Sequence, residues 1–336
     1  FLMDINSTFQ FGDASGAYTF TSGLDVSIYN VIWLCFGLIG VFLNCLLFLT
    51  LCITRGFHSN VKIIFGGFVF ALMGNSIGSI SQSTTVILSI KLNENFWLYY
   101  VNAFTIGFSV NLWQIILLVF AVERTVATVR NQTYEADCKF YLGAIMVIIA
   151  FIFSFLLGLN YFCFNFNMYA QIGLVFSLNA INLTALLILS FVNRKLRSIT
   201  IKSKILLSQR YQVTENIRVL YILSPLVVAG IVASVLTLGI QTWQSLSSYS
   251  QMLRTNAYYM INSCFPTVCF IIVFTKDPIM RNKILYLLRK EDLRKIEVTS
   301  MSKSGGVIPV KNVVGKNLVI QDSPENHFAQ LNSMWK

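Results

Sequence analysis

An adjacent acidic and basic pair, Glu123–Arg124, stands near the end of a long apolar run. A guanidinium at the end of a membrane helix can exchange between carboxylate partners, or meet a protein outside the membrane. A second polar segment, before a later apolar run, contains Arg210, Tyr211, Gln212, Glu215 and Asn216. We predict that Glu215 holds Arg124 in a resting state. A plain helix-end charge pair and a solvated helix extension are the alternatives.

Residue types suited to catalysis or metal binding are scarce in the apolar runs. The two histidines, His58 and His327, both fall outside them. No HExxH motif, paired carboxylates or Ser–His–Asp set can be assembled at membrane depth. Proton pumps and ion-coupled carriers usually keep ionisable groups within the bilayer, whereas these runs keep theirs at the ends. We therefore expect no enzyme activity, no cofactor and no metal.

Membrane helices are the elements that must position these residues. Of the 336 residues, 55% are hydrophobic and 12% are charged, whereas soluble domains carry about 25% charged residues. An apolar run of about 20 residues crosses the hydrocarbon core as a helix. Seven spans are predicted, at 31–53, 63–90, 96–122, 140–163, 170–192, 219–240 and 255–275. The predicted fold is an all-α membrane protein, a seven-transmembrane helix bundle within residues 31–275, with the lipid bilayer around it.

The distribution of lysine and arginine predicts the orientation of the bundle. With the N-terminus outside, 23 of the 25 basic residues fall on the cytoplasmic side, and Lys91 and Arg254 remain outside. Basic loops are retained in the cytoplasm. Residues 1–30 contain three Asp and no Lys or Arg, as expected of an extracellular tail. Asn6, in the sequence Asn6–Ser7–Thr8, is then a candidate glycosylation site.

The segment after the seventh span has a different character. Asp277–Pro278 is typical of a helix start, and apolar and basic residues then alternate. This pattern predicts a short amphipathic helix over 277–293 on the cytoplasmic leaflet, followed by a disordered tail over 296–336. The net charge of +11 is spread between apolar runs, so nucleic acid is not an expected partner.

Candidates for a ligand pocket lie in the outer halves of the spans. Small-molecule sites in helix bundles combine apolar walls with a few polar groups. The polar candidates are Gln82, Thr84, Asn102, Thr105, Ser109, Asn179, Tyr258, Tyr259 and Asn262. None of them carries an ionised group, which favours a neutral or mainly apolar ligand. Hydrogen bonding between helices is the alternative role for each residue.

Three short motifs together carry a family resemblance. They are Phe57–His58–x–Asn60–x–Lys62, Glu123–Arg124–x–x–Ala127–Thr128 and Arg210–Tyr211–Gln212–x–x–Glu215–Asn216. In combination they resemble the nematode chemoreceptors of the Sra superfamily (Sra, Srab, Srb and Sre), and the Sre family above all, over about residues 31–288. The resemblance implies a G-protein-coupled receptor in the plasma membrane of chemosensory neurons, in the sensory cilium, that activates a heterotrimeric G protein.

The leading interpretation is thus a chemosensory receptor for a small external chemical. Rhodopsin-like receptors are a looser match, because Phe265–Pro266 lacks the Asn-Pro-x-x-Tyr motif and Asn75 stands where that class has an acidic sodium ligand. A ligand-gated channel or a carrier with seven spans is the main alternative. An adhesion or scaffold protein is a third possibility.

Overall fold

A computed structural model describes residues 24–54, 57–88, 96–130, 141–163, 168–202, 207–246 and 251–289, with two short strands beyond them. The helices are α1 (Leu24–Ile53), α2 (Ser59–Ile87), α3 (Phe96–Val129), α4 (Tyr141–Cys163), α5 (Met168–Lys202), α6 (Leu207–Leu246), α7 (Gln251–Lys276) and α8 (Pro278–Arg289). Strand β1 (Val310–Lys311) pairs antiparallel with β2 (Asn317–Leu318). These residues fall into two units that divide after Ile284, and the site described below lies in the first.

Helices α1 to α7 are the membrane-spanning elements. Within the described residues, seven helices are long and apolar enough to cross a bilayer, which confirms the predicted seven-helix fold. The central helices are α2 and α3, since more than half of each apolar segment is buried inside the protein. In α4 and α5 the buried share is 22%, so most of their apolar side chains are left for lipid.

Several helices run further than the apolar pattern predicts. Helix α5 continues to Lys202 and α6 begins at Leu207, whereas the predicted spans were 170–192 and 219–240. A helix satisfies its own backbone in water as well as in lipid, so the end of an apolar run is not the end of a helix. Helix α3 ends at Val129, which places Arg124 inside the helix.

Most basic residues of the described helices lie at one end of the bundle. Helices α1, α3, α5 and α7 end there, and α2, α4 and α6 begin there. We call it the basic end. The half of the bundle that lies away from it is called the opposite half. Helix α8 follows α7 at the basic end, where Asp277 Oδ1 accepts a hydrogen bond from the backbone N–H of Ile279 at 3.0 Å. This is the helix cap expected from Asp277–Pro278. Asn6 and most of the tail 296–336 lie outside the described residues.

Candidate functional site

The Glu123–Arg124 pair is buried within the bundle at the basic end. Glu123 is 0% exposed and Arg124 is 1% exposed. Arg124 donates Nε to Glu123 Oε2 and Nη2 to Glu123 Oε1, each at 2.5 Å, so the pair is bidentate. A third bond runs from Arg124 Nη1 to Asn216 Oδ1 on α6, at 2.6 Å. The carboxylate neutralises the guanidinium within α3, and the third bond joins α3 to α6.

The predicted partner of Arg124 on α6 was Glu215, whereas the structure has Asn216 in contact with Arg124. Glu215 Oε1 accepts a hydrogen bond from the backbone N–H of His58 at 2.7 Å, and Asn216 makes the contact with Arg124. Consecutive helix residues point about 100° apart. Asn216 therefore faces α3, while Glu215 faces the segment between α1 and α2.

A hydroxyl and a second asparagine extend this network to α5. Thr128 Oγ1 donates to the backbone oxygen of Arg124 at 2.7 Å and accepts from Asn193 Nδ2 at 3.0 Å. The same Asn193 nitrogen lies 2.9 Å from the backbone oxygen of Leu189 in its own helix. Sequence analysis missed Asn193. The available signal was an asparagine at the end of a charge-free run, directly before Arg194.

A second ion pair joins α6 to the junction of α7 and α8. Arg218 Nη2 lies 2.8 Å from Asp277 Oδ1 and 2.7 Å from Asp277 Oδ2. The Arg218 guanidinium also lies over the Phe57 ring, 4.3 Å from its centroid, which is a cation–π distance. Asp277 is completely buried, so one carboxylate both caps α8 and holds α6. Sequence analysis gave Asp277 only the capping role.

The motif in the α1–α2 segment meets both α6 and α4. Asn60 Oδ1 accepts a hydrogen bond from the backbone N–H of Gly143 at 3.2 Å, in the first turn of α4. A Cβ atom on Gly143 would lie 2.9 Å from the Asn60 Cα, so this approach requires a glycine. His58 contacts Glu215, as described above. The first motif thus contacts the third one in the folded protein.

The remaining candidates at the basic end lie in the first turns of α6. Gln212 is buried, and both polar atoms of its amide have no hydrogen-bond partner in the described part of the chain. The side chains of Arg210 and Tyr211 lie outside the described part of the structure. Of the seven predicted residues, Glu123, Arg124 and Asn216 therefore form one directly bonded cluster.

In the opposite half, polar groups join α2 to α7. Asn75 Nδ2 donates to the backbone oxygen of Asn262 at 2.8 Å, and Ser263 Oγ donates to Ser79 Oγ at 2.9 Å. Asn262 was a pocket candidate, and its backbone oxygen serves here as an interhelical hydrogen-bond acceptor. Asn75, Ser79 and Ser263 were missed as the polar link between these helices.

Several buried polar atoms in this half have no hydrogen-bond partner within the described residues. Three of them, Asn75 Oδ1, Gln82 Oε1 and Asn102 Nδ2, lie on the neighbouring helices α2 and α3. An unsatisfied buried polar atom costs about 1–3 kcal/mol, and water or a ligand can satisfy it. Gln82 and Asn102 were predicted pocket residues on α2 and α3, which pack together.

The other pocket candidates have different surroundings. Ser109 is buried where α3 meets Gly74 of α2. Thr105 Oγ1 donates to the backbone oxygen of Val101 in its own helix, at 2.7 Å. Thr84 is half-buried on α2.

Two more candidates lie against other helices. Asn179 Nδ2 on α5 donates to Ser234 Oγ on α6 at 3.0 Å. The Tyr259 ring stacks on Trp33 of α1 with centroids 4.9 Å apart. The side chain of Tyr258 lies outside the described part. Asn179 is therefore an α5–α6 contact and Tyr259 an α1–α7 contact, so the candidates whose side chains are described lie against different helices.

An aromatic contact that sequence analysis missed lies among α3, α6 and α7. The rings of Trp113 and Phe265 are tilted, with centroids 4.5 Å apart. A Cβ atom on Gly230 of α6 would come within 2.8 Å of the Trp113 ring. Trp113 is buried, and within the described residues its Nε1 has no acceptor. Gly230, directly after the apolar run Leu226–Ala229, was the sequence signal for such a close approach.

The fold and the buried arginine at one end define a seven-helix membrane protein with the architecture of rhodopsin. The crystal structure of squid rhodopsin matches with a TM-score of 0.61 and 13% sequence identity, over 84% of this chain and 93% of that chain. At that identity the likeness concerns the fold.

The sequence comparisons give the family. The model of the family described as Sre G protein-coupled chemoreceptor matches residues 15–336, and the chain belongs to the Sre family. A relative from Caenorhabditis elegans, serpentine receptor class alpha/beta-14, is 25% identical over 254 residues. That match spans 66% of this chain and 64% of the relative, a little under two thirds of the relative's length. The resemblance to nematode chemoreceptors is confirmed, in a family of receptors rather than of enzymes.

Proposed function

We propose that this chain is a chemosensory receptor that binds a small, neutral external chemical and activates a heterotrimeric G protein at its basic end. In this proposal the N-terminus is outside and the basic end faces the cytoplasm, in the plasma membrane of the sensory cilium. The observation that carries the proposal is the buried Arg124, bonded to Glu123 in its own helix and to Asn216 on α6.

Two bonds on α6 define what activation must break. Arg124 bonds Asn216, and Arg218 bonds Asp277, so α6 cannot swing away from α3 and α7 while both persist. An agonist shifts the population only as far as it binds the open arrangement more tightly than the closed one. Pro225 lies inside α6 and removes one backbone hydrogen bond, which gives the helix a point at which to bend.

The ligand would bind in the opposite half, between α2, α3 and α7. Gln82 Oε1 and Asn102 Nδ2 offer an acceptor and a donor that have no partner within the described residues. Since none of the nine pocket candidates is ionised, a neutral ligand with hydrogen-bonding groups fits best. A response that strictly depends on an ammonium or carboxylate group of the agonist would contradict this.

The test is a signalling assay on the full chain. The receptor is expressed with a promiscuous G protein, screened against odorant and pheromone pools, and then compared with Glu123→Gln/Arg124→Gln. This double variant leaves no lone buried charge. Arg130→Gln, an exposed arginine at the end of the same helix, is the control. We expect the double variant to lose the response per receptor at the cell surface and the control to keep it. An unchanged response in the double variant would remove the switch role.

Two further measurements separate this proposal from its alternatives. Ligand-evoked currents in cells that lack G proteins would favour a channel or carrier. Epitope tags at the two termini should be found on opposite faces of the membrane, and Asn6 should be glycosylated. Both termini on one face would overturn the proposed topology.

A further inference from the structure

A cleft at the basic end is not used by the network around Arg124. Its volume is about 220 Å³, and it lies between α5, α6 and the end of α7. Its lining includes Ser190 and Arg194 from α5, Tyr221 and Ser224 from α6, and Lys276 from α7. The cleft therefore brings two cations from different helices to one opening.

The cleft lies beside exposed apolar surface on α5 and α6. Tyr221 is 58% exposed, although it belongs to an apolar membrane segment. Residues three, four or seven positions apart share a helix face. On that basis Leu187 and Phe191 share the face of Ser190 and Arg194 on α5, and both are exposed. Val228 continues the face of Tyr221 along α6 and is exposed as well. One end of the cleft is thus cationic, and the other opens onto apolar surface that faces hydrocarbon.

The two cations are available to an external anion. Within the described residues, neither Arg194 nor Lys276 is ion-paired with a carboxylate, and the nearby Asp277 is held by Arg218. Lys276 Nζ lies 5.2 Å from the centroid of the Tyr221 ring, so the ring holds the ammonium at the cleft. Lys276 is also the last residue of its apolar segment. That depth corresponds to the boundary between hydrocarbon and headgroups, where long basic side chains reach phosphate.

We propose that this cleft binds one anionic phospholipid, with its phosphate on Arg194 and Lys276 and an acyl chain along Leu187, Phe191 and Val228. A soluble phosphate could meet the same cations, but it would leave the apolar continuation of the cleft empty. The bound lipid connects α5 to α7 across α6, and so stabilises the arrangement of these helices in which the cleft exists. Only the choice of leaflet rests on the orientation proposed above, since anionic lipids concentrate in the cytoplasmic leaflet.

The experiment counts bound lipids on the purified full chain. The receptor is reconstituted into phosphatidylcholine nanodiscs containing phosphatidylserine, and native mass spectrometry counts the phosphatidylserine molecules retained on release. Arg194→Gln/Lys276→Gln is compared with Arg130→Gln/Lys195→Gln, which removes the same charge from exposed residues outside the cleft. Each basic residue near a membrane surface contributes about 1 kcal/mol to such binding. The cleft variant should therefore bind roughly 30-fold more weakly and lose one retained lipid, and the control should keep it.

A second pair of variants tests the shape of the site rather than its charge. Ser190→Phe fills the cleft without changing charge, and Ser177→Phe places the same ring on an exposed part of α5. Loss of the lipid only with Ser190→Phe supports a defined cleft. It also supports the proposal if the charge variant fails to fold.

Three outcomes would overturn the proposal. One is equal phosphatidylserine retention in the cleft variant and the wild-type chain. Another is displacement of the lipid by millimolar inorganic phosphate, which would indicate a soluble-anion site. The last is a cleft variant that keeps its lipid but no longer stimulates nucleotide exchange, which would make the cleft a protein-docking surface. Lipid retention is measured without agonist or G protein, so a negative result would leave the proposed receptor function standing.

Discussion

The two ends of the bundle differ in the polar groups that they bury: the basic end has buried ion pairs, and the opposite half has neutral amides with unpartnered atoms. At the basic end, Glu123, Arg124, Asp277 and Asn193 each contact a partner in the same fold, whereas the Gln212 amide has none in the described chain. In the opposite half, Asn75, Gln82 and Asn102 each keep a buried polar atom with no hydrogen-bond partner in the described chain. Satisfied polar networks fix one arrangement of helices, whereas unsatisfied groups leave binding capacity for water or a ligand.

In the proposed receptor, this difference assigns the helix switch to the basic end and ligand binding to the opposite half. The bonds of the basic end run between helices, from α3 to α6 and from α6 to the α7–α8 junction. Breaking them changes the helix arrangement, so that end is suited to a switch. In the opposite half, buried donors and acceptors have no partner within the described residues, which suits the proposed ligand pocket.

The largest effect is expected for Arg124→Ala. Glu123 would lose its bidentate guanidinium partner, and removing one member of a buried ion pair costs about 3–5 kcal/mol. The amount of receptor at the cell surface should fall sharply, whereas Glu123→Gln/Arg124→Gln should restore it. Flow cytometry on an N-terminal tag measures this amount. Arg124→Ala expressed at the wild-type level would show that the basic end is less tightly held than its geometry indicates.

A smaller effect is expected for Arg218→Gln, which should shift the equilibrium between the closed and open arrangements of α6. The substitution removes a charged hydrogen bond to Asp277, worth about 1.5–3 kcal/mol, so signalling without agonist should rise by about tenfold or more. Arg197→Gln, an exposed arginine on α5, is the control and should not change it. Nucleotide exchange on a purified G protein measures the basal activity. Basal activity that stays flat would mean that this ion pair does not restrain α6.

Leucine at two buried asparagines compares the ends directly. Asn193→Leu removes the donor to Thr128 and should lower stability by about 2 kcal/mol. Asn102→Leu removes a donor that is unsatisfied in the described structure, so stability should be unchanged or higher by about 1 kcal/mol, with a weaker agonist response. Thermal unfolding of the purified variants gives both signs. The comparison fails if the two substitutions destabilise the protein equally.

The smallest effect is expected at Gly230, where the opposite half is tightly packed. In Gly230→Ala the new methyl group would meet the Trp113 ring at 2.8 Å, and overpacking costs about 1–3 kcal/mol, partly offset by the helix preference of alanine. A net loss of about 1 kcal/mol is expected. Gly239→Ala on the same helix meets nothing within 4 Å and should not destabilise. Equal melting temperatures for the two variants would show that the Trp113 ring moves freely.

Much of the fold followed from the sequence because a bilayer leaves the chain few options. An apolar run of sufficient length must become a helix in lipid, so the seven spans and their order could be predicted. The Glu123–Arg124 pair was also singled out from its residue types and position, whereas Asn216 was included through the family resemblance. The predicted helix ends were less accurate, since α5 and α6 continue as helices through polar sequence.

The sequence by itself determined which residues lie at which end of the bundle, because hydropathy and charge set the position of each residue along its helix. Only the tertiary structure decided which of them touch. Asn216, and not the predicted Glu215, contacts Arg124. Arg218 pairs with Asp277, which is 59 positions away in the chain. The rotation of a helix about its axis decides such pairings, and it is set by packing against neighbours that are distant in the chain.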